Sequence, residues 1–286
     1  MLTFKKILIP FDDQAVSKGA LTYAAMIASQ TGATITALFL ADPKDYQSKS
    51  DFDQFLKTMV DEQIKPKLEE VKLSYPKIGK VDLQVRGLTK PVYRHVLDYA
   101  KENQIDFIVT RSHGQPKTED WEDHLNATNA YKVVLEAMCP VFTFTTIPTS
   151  PRLKNILVPL DLSEGSLYKM PLAIELAKQF GSAIHLLSSS LDHTEHEDLQ
   201  LQLQEVAADL KKRDIKTVIY PIEKIELSDA ILHHTDKGQV DLVTIMSRPS
   251  FRWTDLWLSP LAKQVLANSK VPILSVRSNK PLQIGL

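Results

Sequence analysis

Short β-branched apolar runs alternate along the chain with longer stretches in which apolar residues recur every three or four positions. The first kind predicts strands and the second helices. The run Ile7–Phe11 is followed by a helical pattern over Ser17–Gln30, with Ala20, Leu21, Ala24, Ala25 and Ala28 on one face. Gly32 stands where a left-handed cap would end that helix. Strands are then predicted at Thr34–Leu40, Val81–Val85, Phe107–Thr110 and Val141–Phe144, and helices at Asp51–Leu73, Val92–Glu102 and Thr128–Ala137. In the second half Leu172, Ile174, Leu176, Ala177 and Gly181 rebuild the first helix. Strands follow at Ile184–Leu187, Thr217–Tyr220, Leu242–Met246 and Ile273–Val276, with helices at Glu197–Arg213, Ser228–Lys237 and Leu261–Asn268. Strands joined by helices form parallel sheets, so each half predicts an α/β unit with a five-stranded, doubly wound parallel sheet flanked by helices. Ligands of such sheets bind beyond the carboxyl ends of the strands, where the strand order reverses.

The halves are copies. Phe4-Lys-Lys-Ile-Leu-Ile-Pro-Phe-Asp12 returns as Leu153-Lys-Asn-Ile-Leu-Val-Pro-Leu-Asp161, 149 positions on (12 to 161). Asp106-Phe-Ile-Val-Thr returns as Asp241-Leu-Val-Thr-Ile, and Cys139-Pro-Val as Val271-Pro-Ile, in the same order at shorter offsets. A period of half the chain is a domain duplication rather than a solenoid. The Pro- and Thr-rich segment Thr145–Pro151 reads as the linker, which sets domains at 1–147 and 152–286.

Composition narrows the classes. With 34 Lys and Arg against 35 Asp and Glu the net charge is −1, so no field is available to hold a nucleic-acid backbone. A single cysteine, Cys139, cannot form an intramolecular disulfide, which fits a reducing cytoplasm, and it reads as a small buried apolar residue. No run reaches ~18 apolar residues, and the N-terminus lacks the pattern of a signal peptide, so neither a membrane span nor export is expected.

The ordered repeats ending in Asp12 and Asp161, the Asp106 and Asp241 runs and the Cys139-Pro-Val and Val271-Pro-Ile closures resemble the universal stress protein family in its tandem two-domain form. The resemblance covers nearly the whole chain. It implies a Rossmann-like fold of the adenine nucleotide alpha hydrolase-like type, pairing of the two domains through their last strands, and a stress-response role in a bacterium or similar cell. Some members bind ATP through a loop after the fourth strand, written G-x2-G-x9-G-[ST], whose glycines let backbone N–H groups approach phosphates.

That loop is degenerate here. In the first copy it reads Arg111-Ser112-His113-Gly114, with Ala127-Thr128 at the Gly-Ser/Thr pair, and Glu119, Asp120, Glu122 and Asp123 between them would repel an anion. In the second copy the corresponding residues are Met246-Ser247-Arg248-Pro249 and Ser259-Pro260, without any of the glycines and with prolines that lack the N–H. Asp12 and Asp161 either accept hydrogen bonds from ribose hydroxyls, as the resemblance implies, or cap the turn into the first helix. Arg111 and Arg248 either grip an anion or pair with local acids. Trp253 and Trp257, in the segment that replaces the second phosphate loop, either plug the vacated site or anchor a partner protein.

His193 and His196 with their neighbouring acids suggest a divalent metal but read as a solvated polar stretch, and the adjacent His233 and His234 fall on different helix faces, so no metal is expected. No nucleophile accompanies His113 and no P-loop lysine is present, so no enzyme is expected. The reading is a cytoplasmic, non-catalytic binding or regulatory module without a resident cofactor. ATP bound in the first domain by Asp12, the backbone near Leu40, Gly114 and Thr128 is the first alternative, and slow nucleotide hydrolysis the next. Pairing of the domains within the chain, a homodimer and an unidentified protein partner are the expected associations.

Overall fold

The computed structural model describes residues 4–11, 18–112, 121–145, 151–161, 164–191, 193–248 and 259–277. The chain divides into two compact α/β units, one built within residues 3–111 and 128–141, the other within 112–127 and 142–286.

The first unit contains β1 (Lys6–Phe11), α1 (Lys18–Thr31), β2 (Thr34–Ala41), α2 (Lys49–Thr58), α3 (Lys65–Ser74), β3 (Val81–Gly87), α4 (Val92–Glu102) and β4 (Phe107–Arg111). Its strands lie in the order β3-β2-β1-β4, all parallel. Central strands of such a sheet are covered on both faces and read as continuous apolar runs, and β2 is buried over seven of its eight positions. At the edge, β3 buries only Val81, and its other positions are half-buried or exposed. The α5 helix (Trp121–Glu136) and β5 (Val141–Phe144) follow.

The second unit repeats the arrangement with β6 (Asn155–Pro159), α6 (Met170–Phe180), β7 (Ala183–Ser190), α7 (His193–Lys212), β8 (Thr217–Glu223), α8 (Leu227–Asp236), β9 (Leu242–Arg248), α9 (Pro260–Asn268) and β10 (Ile273–Arg277). Its sheet order is β5-β10-β9-β6-β7-β8, so the last strand of the first copy lies beside the last strand of the second. The Thr143 hydroxyl there donates to the Ile273 carbonyl at 3.4 Å.

The duplication extends to register. Ile7 pairs with Ile35 and Phe107, and its counterpart Ile156 pairs with Ile184 and Leu242. The recurring aspartates explain themselves structurally. Asp106 accepts from the backbone N–H groups of Lys5 and Lys6 at 2.8 and 3.0 Å, and Asp241 from those of Lys154 and Asn155, both at 2.9 Å. Each carboxylate ties the start of the fourth strand to the start of the first, at the amino end of the sheet. Gly32 (φ +71°) and Gly181 (φ +62°) both supply the left-handed residue that ends the first helix.

Two expectations need adjustment. The helix predicted over Asp51–Leu73 is broken by a π-helical segment, Met59–Ile64, between α2 and α3. The Lys65 N–H donates five residues back to Val60, and Pro66, with no N–H of its own, follows directly. The helix predicted to open at Thr128 instead begins at Trp121.

Candidate functional site

Reversal of strand order between β6 and β9 opens a crevice at their carboxyl ends, where a doubly wound sheet places its ligands. A cavity of about 150 Å³ fills that position in the second unit. Pro159 and Asp161, at the end of β6, form one wall, and Thr244, Ile245 and Met246 of β9 form the floor. Leu227 and Ser259, at the N-terminal ends of α8 and α9, border it. The remaining wall is a 3-10 segment, Glu164–Lys169, which leads into α6 and contributes Gly165, Ser166 and Lys169.

The hydroxyls around the cavity are already engaged with the protein. Ser166 Oγ donates to the Asp161 carbonyl at 2.9 Å and Thr244 Oγ1 to the Leu157 carbonyl at 3.2 Å. Ser259 Oγ accepts from the Ala262 N–H at 3.1 Å and so caps α9.

Lys169 is different. It is 4% exposed, and among the described residues its ammonium makes no hydrogen bond or ion pair. Burial pushes its pKa down to about 8 against the opposing pull of the Asp161 carboxylate. Asp161 itself is solvent-exposed, at the cavity's edge.

The expected site residues are only partly gathered here. Asp161 and Ser259 line the cavity. Ser247 does not; it is 1% exposed and donates to the Val276 carbonyl at 3.4 Å. Arg248 ends β9, and Thr128 falls within α5 rather than at its start, with both side chains outside the described set. In the first unit Leu40 is packed in β2 and Arg111 is exposed at the end of β4. Ser112 is buried, its N–H donating to Phe144 and its hydroxyl to Leu266. Asp12, His113, Gly114, Trp253 and Trp257 lie outside the described residues.

Lys169 escapes a reading based on motifs, although the duplication marks it. Subtracting 149 from 169 gives Ala20, a fully buried position of α1. Lys169 also stands three, four and seven residues before the buried Leu172, Ala173 and Leu176, on the face that packs inward.

Other polar groups are structural. His234 Nδ1 lies 2.9 Å from the Ala230 carbonyl within α8, and its ring meets Tyr220 edge-on. His185 stacks on Tyr220 and contacts Asn155 Oδ1 at 3.2 Å. The Cys139 thiol is pushed up to about 12 by burial and by the Asp106 carboxylate, so it is not a reactive thiolate. Among the described residues no three His, Cys, Asp or Glu side chains cluster as metal ligands, and no helix is long and apolar enough to cross a membrane.

Comparison with solved structures places this architecture. A universal stress protein from Archaeoglobus fulgidus is similar over 95% of this chain and 96% of its own, with a TM-score of 0.74 at 18% identity. A functionally unknown protein from Pseudomonas aeruginosa matches over 96% and 92% at 14% identity, TM-score 0.67. The cytoplasmic domain of a prokaryotic cation chloride cotransporter shares the fold over 95% of both chains at 12% identity, TM-score 0.53. No curated protein matches significantly. The model of the universal stress protein family matches twice in tandem, over residues 3–144 and 152–277, with both strand-initial aspartate ties inside the matched segments. By those two matches the chain belongs to the universal stress protein family.

Proposed function

We propose that this chain is a non-catalytic binding module of the stress response, with degenerate nucleotide sites, that takes a small ligand in the crevice of its second domain. The observation that carries the reading is the cavity at the β6–β9 reversal, whose volume is about 150 Å³. Pockets for drug-sized ligands run to roughly 300–1,000 Å³, so the space suits a smaller molecule than a nucleoside triphosphate. The rim supports the same reading. Ser247 is committed to the sheet, and residues 246–249 contain no glycine to bring N–H groups against phosphates. Tandem family segments within one chain fit pairing of the two domains without a second copy.

The test is the melting temperature of the full chain with and without millimolar ATP and magnesium, together with phosphate release over time. A ligand that binds only the folded state raises Tm by mass action. No rise and no turnover are expected with ATP, whereas a screen of small metabolites should yield a ligand that raises Tm. A rise with ATP that is lost in Asp12→Ala would assign a nucleotide site to the first domain instead, and sustained phosphate release would make the chain a hydrolase.

A further inference from the structure

A lysine side chain buried to 4% exposure that makes no hydrogen bond or ion pair among the described residues is costly. At the position where the first copy places Ala20, the second places Lys169 against a cavity that water or a ligand can enter. The other lining residues, Pro159, Gly165, Leu227, Ile245, Met246 and Leu261 among them, are uncharged, and Asp161 at the edge is the only charged group besides Lys169 that the described lining contains. The N-terminal ends of α8 and α9, ten and nine residues long, border the same space and add positive potential. The hydroxyls of Ser166 and Thr244 donate to backbone carbonyls and Ser259 Oγ accepts from the Ala262 N–H, so Lys169 is the one cationic donor in the described lining.

We propose that the cavity is a small-oxyanion site centred on Lys169, taking a phosphate or carboxylate group rather than the triphosphate of a nucleotide. The inference rests on the second-domain crevice being a binding site and names the chemistry of what it binds. A bound oxyanion supplies hydrogen bonds that the ammonium lacks among the described residues and adds to the countercharge of Asp161. The glycine-rich loop is then dispensable, because one buried side-chain charge does what a row of backbone N–H groups does elsewhere. Asp161 works against the anion by its like charge and restricts the site to ligands small enough to bind Lys169 without displacing that carboxylate.

The experiment is a Tm titration of the full chain with inorganic phosphate and, separately, with acetate, each against sodium chloride at matched ionic strength, for wild type, Lys169→Met and Asp161→Asn. Wild type should rise by roughly 5 °C at a hundredfold excess over Kd, with the stronger of the two probes identifying the group. Lys169→Met should stay folded by circular dichroism and lose the rise. Asp161→Asn should bind several-fold more tightly, the reverse of what a ribose-contacting aspartate would show. Affinity in wild type should fall as pH rises past about 8, where the amine loses its charge. An equal rise in Lys169→Met overturns the proposal, as does a wild type that responds to neither anion. If a metabolite from the screen binds wild type and Lys169→Met alike, the binding reading stands and the oxyanion site falls. If nothing binds wild type, both fall.

Discussion

The first helices of the two copies begin differently, although the strands before them superpose in register. In the first copy α1 carries Ala20 at a fully buried position, one of a line of alanines that includes Ala24 and Ala28. In the second, the α-helix opens only at Met170, after a 3-10 segment, and Lys169 occupies the place of Ala20. Pro171 explains part of the delay, since a proline is tolerated within the first turn of a helix but not further in. The same frame therefore holds either a small apolar side chain or an ammonium at this position, depending on one residue.

The comparison can be broken most severely by making the copies alike. Ala20→Lys puts a charge at a position with 0% exposure, and a destabilisation of about 3–5 kcal/mol is expected. Urea unfolding read by circular dichroism should show the first domain lost ahead of the second.

Next in size is removal of the strand ties. Asp241→Ala leaves the Lys154 and Asn155 N–H groups and the Arg152 guanidinium without their acceptor, at a cost of about 2–4 kcal/mol. Asp106→Ala loses two backbone donors and should cost less. If the two variants melt alike, Arg152 contributes nothing.

Lys169→Met should move stability the other way. Its folded pKa of about 8 lies below the ordinary value of 10.5, which corresponds to a gain on the order of 3 kcal/mol at pH 7. Between pH 8 and 10.5 the unfolded chain binds the proton that the folded chain has released, so wild-type stability rises with pH through that window. The advantage of the methionine variant should shrink over the same range and vanish above it. A pH-independent gap between the two proteins would show that Lys169 is not charged and buried.

The smallest effect concerns acid. His185 takes the place of Thr36 in the duplicated register, and burial followed by the charge of His234 depresses its pKa. Asp241 raises it and Lys216 lowers it further. A depressed folded pKa means that stability falls as pH drops below about 6.5. His185→Thr should flatten the acid limb of the second domain's melting curve. His95 in the first domain, lowered chiefly by burial, accepts a hydrogen bond from the Thr89 N–H and should keep that domain acid-sensitive.

Much of the fold was legible in the sequence because a duplicated chain offers each prediction twice. The paired runs around Ile7 and Ile156, and the glycines at 32 and 181, corroborate one another within the sequence itself, and the register bears them out. The π-helical interruption was not legible, because Pro66 reads equally as the first turn of a new helix. Of the site, Asp161 and Ser259 could be anticipated from where the strand and helix ends must fall. Lys169 could not be found from motifs, since a lysine near a helix start ordinarily lies in solvent. Its burial shows only when the second copy is overlaid on the first.

The aspartate ties at the amino ends of the sheets have a consequence for how such a chain diverges. Register is anchored at the amino ends of the strands, opposite the carboxyl-end crevice, by carboxylates engaged with backbone N–H groups. Substitutions at the opposite rim therefore meet little resistance from the framework. A gene duplication on this scaffold leaves one rim free to drift toward a new ligand while the other keeps its inheritance.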